Sequence, residues 1–173
     1  RLEVCTHLFG RHNFYNVMTA IALGIYFKVP GAKIKSALES YLPSNNRSQI
    51  VSYGSNTVLL DAYNANPSSM EPALKSLQAM SAPCKVAILG DMLELGENSP
   101  KEHAAILRLA AKMGLDHLVL VGKEFGQTDF GRYGALHSPD HTAAKAWLEH
   151  QNLENALILI KGSRGIRLEK VLI

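Results

Sequence analysis

Lys85-Val86-Ala87-Ile88-Leu89-Gly90 is a short apolar run bounded by Pro83 and Gly90, and His117-Leu118-Val119-Leu120-Val121 is a second one ending at Gly122. Each has the length and continuous apolar character of a strand buried on both faces. Between them Ser99-Pro100 opens a helix whose Ile106, Leu107, Ala110 and Met113 share one face, and Gly114 stops it. Strand, helix and strand at this spacing imply a right-handed βαβ crossover, and so a mostly parallel sheet.

The same alternation extends outward in both directions. Upstream, Gln49 to Tyr53 and Thr57 to Ala62 read as strands around the turn Gly54-Ser55-Asn56. A helix follows from Pro67 to Met80, with Asn66 as its N-cap and Pro67 in the first helical position. Downstream, Lys123 to Ser138 is irregular with room for a short helix and a short strand. Asp140 to His150 reads as a helix with Trp147 facing inward, Ala156 to Ile160 as a strand, and Gly162 to Leu172 as a loop into a last helix. The expected fold class is α/β, a mostly parallel sheet with helices on both faces. Nearer the N-terminus the pattern differs. Residues 2 to 8 alternate like a half-buried strand, Asn13 to Phe27 suits a largely buried helix, and Ala32 to Leu42 a second helix. Pro43-Ser44-Asn45-Asn46 is the expected domain boundary.

Composition removes several classes. With 173 residues, 47% hydrophobic and 19% charged, the chain is sized for one globular domain or one domain plus a piece of another. Its 18 Lys and Arg against 15 Asp and Glu are too even for a nucleic-acid or membrane surface. The most apolar stretch, Val17 to Val29, is interrupted by Thr19, Gly24 and Lys28 and is shorter than the roughly 20 residues of a membrane span. Cys5 and Cys84 read as reduced, buried thiols of a cytoplasmic protein rather than a disulfide scaffold. The histidines His103, His117, His137, His141 and His150 lack metal-ligand spacing, so no metal site is expected. Position 1 is Arg, which suggests a piece of a longer chain.

In open parallel sheets ligands bind where strand C-termini meet helix N-termini, so chemistry is sought in the loops 61–67, 90–99, 122–126 and 161–165. Asp61-Ala62-Tyr63-Asn64-Ala65-Asn66-Pro67 offers a carboxylate, an aromatic ring, two amides and a capped helix start, a set that suits a nucleotide or, equally, a plain turn into a helix. In Gly90-Asp91-Met92-Leu93-Glu94 the acids Asp91 and Glu94 suit a cation or an amine, or simply complement the helix dipole. Lys161-Gly162-Ser163-Arg164-Gly165 reads as an anion site without the spacing of a P-loop, and no G-x-G-x-x-G follows a strand. At the front, Asn13 and Asn16 lie at i and i+3, where two amides can meet an adenine edge or Asn13 can cap the helix.

Together these blocks resemble the Mur ligase family, and within it the dipeptide-adding branch. Gly10-Arg11-His12-Asn13-Phe14-Tyr15-Asn16 is similar to that family's G-x-H-N-x-x-N segment, and Asp61 to Met70 to its D-x-Y-N-A-N-P-x-S-M run. Gly90 to Gly96 and Lys161 to Arg164 match two further blocks in the same order. Asn64 and Ala65 depart from the Asp-Tyr-Ala-His-Asn-Pro of other branches, and Leu60 and Ala62 stand where many relatives carry a second acid.

The resemblance implies three domains in the whole protein. Residues 1–45 would end the central ATP-binding domain as a strand-helix-helix piece, and 46–173 would form the C-terminal Rossmann-like domain. It implies an ADP-forming ligase of cell-wall peptidoglycan synthesis, cytoplasmic and monomeric. ATP and Mg²⁺ would serve it, and UDP-N-acetylmuramoyl-tripeptide and D-Ala-D-Ala would be joined through an acyl phosphate. The Walker A loop, the carbamylated lysine and most Mg²⁺ ligands lie outside this sequence, so the fragment alone should be inactive. By position, Arg47 and Asp61 are the implied catalytic residues. The nucleotide would be met by His12, Asn13, Asn16, Arg47, Asp61, Tyr63, Asn64 and Asn66, with Asp61 and Tyr63 at the ribose. Lys161, Ser163 and Arg164 are the choice for the dipeptide carboxylate, on the charge logic that an Arg fork suits it. The competing expectations are a stand-alone Rossmann-like nucleotide- or anion-binding module, and an NAD(P) oxidoreductase domain.

Overall fold

The computed structural model describes residues 2–173, apart from the side chains of Arg11 and His12. Two helices come first, α1 (Arg11–Tyr26) and α2 (Gly31–Ser40). A hairpin of β1 (Gln49–Tyr53) and β2 (Asn56–Asp61) leads into α3 (Pro67–Ala79), β3 (Lys85–Gly90), α4 (Ser99–Ala110) and β4 (His117–Val121). A four-residue helix α5 (Lys123–Gly126), β5 (Leu136–Ser138), α6 (His141–His150) and β6 (Leu157–Lys161) follow, and the chain closes in the 3₁₀ turns Arg164–Ile166 and Leu168–Leu172.

The six strands form one sheet in the order β1-β2-β6-β3-β4-β5. Only the β1–β2 hairpin is antiparallel; β2, β6, β3, β4 and β5 run parallel. Because side chains alternate across a strand, the central strands feed two separate cores. Leu59, Leu159, Ala87, Leu89 and Leu120 pack with Met70, Leu74 and Leu77 of α3 and Ile106, Leu107 and Ala110 of α4. On the opposite face Val58, Leu60, Ile158, Ile160, Val86, Ile88 and Val119 pack with Ala144 and Leu148 of α6 and with Leu168 and Val171. This two-sided burial is why β3 and β6 are continuous apolar runs. Asn56 joins the hairpin to β6: its amide donates to Leu153 O at 2.8 Å and its carbonyl accepts from Ala156 N at 2.8 Å.

The strand expected over residues 2–8 is absent. No strand lies beside this segment among the described residues; α2 holds it instead, Cys5 N donating to Glu39 at 3.1 Å and Lys35 Nζ donating to Glu3 O. The ion pair draws Lys35 above its ordinary pKa and Glu39 below it. The helix expected as largely buried is formed but mostly exposed, with Phe14, Tyr15, Ile25, Tyr26 and Phe27 between 60% and 77% accessible. An all-round apolar helix calls for a second covering surface, and here α2 is its main cover, packed so closely that a Cβ on Gly24 would lie 2.8 Å from Ile34. Phe9, buried in the α3–α4 core, anchors this helical arm to the sheet domain. The last segment forms 3₁₀ turns in place of the expected helix. The cysteines, expected buried, are exposed at Cys5 and half-buried at Cys84.

Candidate functional site

The chain leaving β2 enters α3 on one face of the sheet, while the chain leaving β6 runs to Leu168 and Val171 on the other. Adjacent parallel strands whose exits diverge in this way open a crevice at their C-terminal ends. The two residues at that point, Asp61 and Lys161, are register partners. Their side chains meet, with Lys161 Nζ 2.5 Å from Asp61 Oδ2, and are only 2% (Lys161) and 14% (Asp61) exposed. Lys161 also donates to Asn64 O at 3.1 Å, and Asp61 Oδ1 accepts from Ser48 N at 3.1 Å. One buried ion pair thus ties β6, the β2 loop and the linker before β1 together.

Ser163 makes a second knot. Its N–H donates to Asp91 O at 3.1 Å, its hydroxyl accepts from Leu93 N at 2.9 Å and donates to Ala65 O at 3.3 Å. Three of the four sequence-selected loops therefore converge on one buried serine. The approach requires glycine at 162, where a Cβ would stand 3.0 Å from the Cα of Gly90 and 2.9 Å from Leu168. Asp91 is buried as well, its two oxygens accepting from Glu124 N and Phe125 N at 2.9 Å each. His103, fully buried, accepts from Met92 N through Nε2 at 3.0 Å, which leaves Nδ1 to donate to Ser99 O at 2.7 Å. Asp91 is thus structural, and Glu94 remains on the surface with φ 68°.

Above this floor stand the two exposed arginines. The guanidinium carbon of Arg47 lies 3.7 Å from the centre of the Tyr63 ring, and that of Arg164 lies 5.2 Å from it. Arg47 and Tyr63 line a cavity of about 330 Å³ with Tyr41, Ser44 and Asn45. Tyr41 also lines a second cavity of about 360 Å³, together with Asn13, Asn16, Val17, Ala20 and Leu38.

The Mur ligase glutamate ligase domain family matches residues 46–164. The chain belongs to the Mur ligase family. It is 35% identical over 168 residues to the UDP-N-acetylmuramoyl-tripeptide--D-alanyl-D-alanine ligase of Treponema pallidum, covering 94% of this chain and 36% of that enzyme. It is 32% identical to the enzyme of the same name from Escherichia coli, covering 98% of this chain and 38% of that one. Among solved structures, MurF from Acinetobacter baumannii superposes with a TM-score of 0.78 at 28% identity over 94% of this chain and 37% of that chain. MurF ligase from Thermotoga maritima in complex with ADP gives 0.80 at 20% identity over 95% and 38%, a likeness of fold. The chain spans 36–38% of the length of these curated relatives.

In this Mur ligase chain the sequence-selected residues fall into two groups. Arg47, Asp61, Tyr63, Asn64, Lys161, Ser163 and Arg164 gather around the switch point. Asn13 and Asn16 sit apart on α1, where Asn13 donates to Phe9 O at 2.7 Å and its carbonyl accepts from Asn16 at 3.0 Å. Asn66 caps α3, its carbonyl accepting from Ser69 N at 2.9 Å and Ser68 Oγ at 2.8 Å. The His12 side chain lies outside the described residues. Lys161 and Ser163, chosen for the dipeptide carboxylate, are buried and engaged with Asp61 and with loop backbones. Sequence reasoning passed over Tyr41, whose one signal is an aromatic placed just before the Pro-Ser-Asn-Asn linker, and Ser48, whose role is carried by a backbone N–H.

Proposed function

We propose that this chain is the nucleotide-closing part of an ATP-dependent ligase that joins D-Ala-D-Ala to UDP-N-acetylmuramoyl-tripeptide, acting as a cytoplasmic monomer in peptidoglycan precursor synthesis. The observation that carries the reading is the pair of cavities that share Tyr41 as a wall. One has two amides on an apolar wall, as a base requires, and the next has the Arg47 guanidinium, which has no carboxylate within 4.0 Å among the described residues, as phosphates require. The names of the curated relatives support the choice of substrates.

In this reading ATP transfers its γ-phosphoryl group to the terminal carboxylate of the tripeptide. The dipeptide amine then attacks the acyl phosphate carbonyl, releasing phosphate and leaving ADP. Arg47 lies against the phosphates and opposes the charge that spreads over the transferring group. Asp61 fixes Ser48, and thereby the arginine next to it, and its partly exposed edge faces the ribose, with Asn64 and Asn66 on the same loop. Lys161 and Ser163 form the floor, and Arg164 presents the charge of their loop. In this reading Mg²⁺ serves the phosphoryl transfer and most of its protein ligands come from the rest of the enzyme.

The domain division at 45/46 is part of the same proposal. Two observations support it: the family match begins at 46, and α1 leaves several large apolar side chains exposed, as a helix covered by another domain would. The test is ADP release by the full-length protein, dependent on both the tripeptide nucleotide and D-Ala-D-Ala. Arg47→Ala should lower kcat by about 10²-fold or more, the scale of losing one charge-stabilising group. ADP release indifferent to the dipeptide would overturn the reading.

A further inference from the structure

Arg47 and Arg164 come from opposite ends of the sheet domain, yet both guanidinium carbons lie within 5.2 Å of the same ring centre. Among the described residues neither has a carboxylate within 4.0 Å. Two like charges so placed repel one another, and the electron-rich face of a tyrosine offsets only part of that. An anion reached by both guanidinium groups offsets that repulsion.

The backbone explains why the three side chains can be held there. Each stands one residue from a fixed point: Arg47 beside Ser48, whose N–H is bound by Asp61; Tyr63 beside Asn64, whose carbonyl is bound by Lys161; Arg164 beside Ser163, which is knotted to Ala65 and Leu93. The buried Asp61–Lys161 pair is therefore the base of a tripod, and Tyr63 is its central post. A guanidinium at 3.7 Å covers the ring, which removes that face from contact with a ribose or a base.

We propose that Arg47, Tyr63 and Arg164 form a single oxyanion clamp in which Tyr63 is a positioning residue, and that the group clamped is a phosphoryl group rather than the dipeptide carboxylate. Charge decides between the two anions. Two unpaired guanidinium groups are matched by a phosphoryl group carrying about two negative charges and leave an excess over a carboxylate carrying one. The inference rests on the ligase reading for the identity of the phosphoryl donor. It departs from the roles expected from the sequence, which set Arg47 on phosphate, Arg164 on the dipeptide carboxylate and Tyr63 at the ribose.

The experiment uses the full-length protein with Tyr63→Phe, Tyr63→Leu, Arg47→Ala, Arg164→Ala and the double arginine variant. Steady-state kinetics are read separately for ATP and D-Ala-D-Ala, and ATP binding is measured by calorimetry, which needs no ligase turnover. Tyr63→Phe, which keeps the ring, should stay within about twofold of wild type. Tyr63→Leu should weaken ATP binding or raise its KM by about 5- to 30-fold, the range of one to two cation–π contacts, with the dipeptide KM within about twofold. Arg164→Ala should act on ATP in the same direction, and the double arginine variant should lose less than the product of the single losses. Equal damage from Phe and Leu at 63 would return the phenol to a hydroxyl role and overturn the clamp. An Arg164→Ala effect confined to the dipeptide KM would overturn it too. If wild type shows no dipeptide-dependent turnover, the ligase reading fails by itself, and calorimetry still decides the clamp.

Discussion

Replacing Lys161 by Met tests the base on which the site stands. The change keeps an unbranched apolar stem in a position 1% exposed and removes only the ammonium. Among the described residues, Asp61 is then left with the Ser48 N–H as its hydrogen-bond partner in a position 14% exposed. Breaking a buried pair by deleting one partner costs about 3–5 kcal/mol, and the slight access of water to Asp61 places this case near the lower end, about 3 kcal/mol. At roughly 2–4 °C per kcal/mol for a chain of this size, the melting temperature should fall by about 6–12 °C. Restoring neutrality with Asp61→Asn in the same chain should recover more than half of the loss, because an amide still accepts from Ser48 and leaves no buried charge. Thermal unfolding by circular dichroism of wild type, both single variants and the double variant closes the cycle. A coupling below about 0.5 kcal/mol would show that the two groups act independently, and the account of the floor would fall.

Two further outcomes follow from the same geometry. Gly162→Ala drives a Cβ to 3.0 Å from the Gly90 backbone and 2.9 Å from Leu168, and should cost about 1–3 kcal/mol in urea unfolding; a neutral effect would show that the β3 and β6 ends can separate freely. Burial first, and then the Asp116 carboxylate, push the Cys84 thiol above its ordinary pKa and favour the neutral form. In a Cys5→Ser chain, the native-to-denatured ratio of Cys84 alkylation rates should therefore rise between pH 8 and 10 as the thiolate forms, whereas a purely steric block gives a ratio independent of pH.

The elements that were legible in the sequence are those whose cause is local. Apolar runs bounded by Pro83 and Gly90 or by Gly122 announce strands because burial on both faces leaves no room for polar residues. Asn66-Pro67 announces α3 because the cap is made within four residues. Residues 2–8 and α1 misled for a complementary reason. Alternation and apolarity state what a segment needs to be covered, and the covering partner is not written into the segment itself.

The candidate site divides the same way. Its loops were identifiable because parallel strands place ligands at their C-terminal ends, whatever the strand order. Which loops touch was not, since the meeting of Asp61 with Lys161, 100 residues apart, depends on β6 returning between β2 and β3. Sequence alone settled the α/β class, the family blocks and the residue types available. Tertiary structure alone decided that Lys161 and Ser163 are spent inside the floor and that Arg47 and Arg164 share one ring. The reason is physical: a polar side chain serves whichever partner reaches it first in space, and strand order, not spacing along the chain, sets who is within reach.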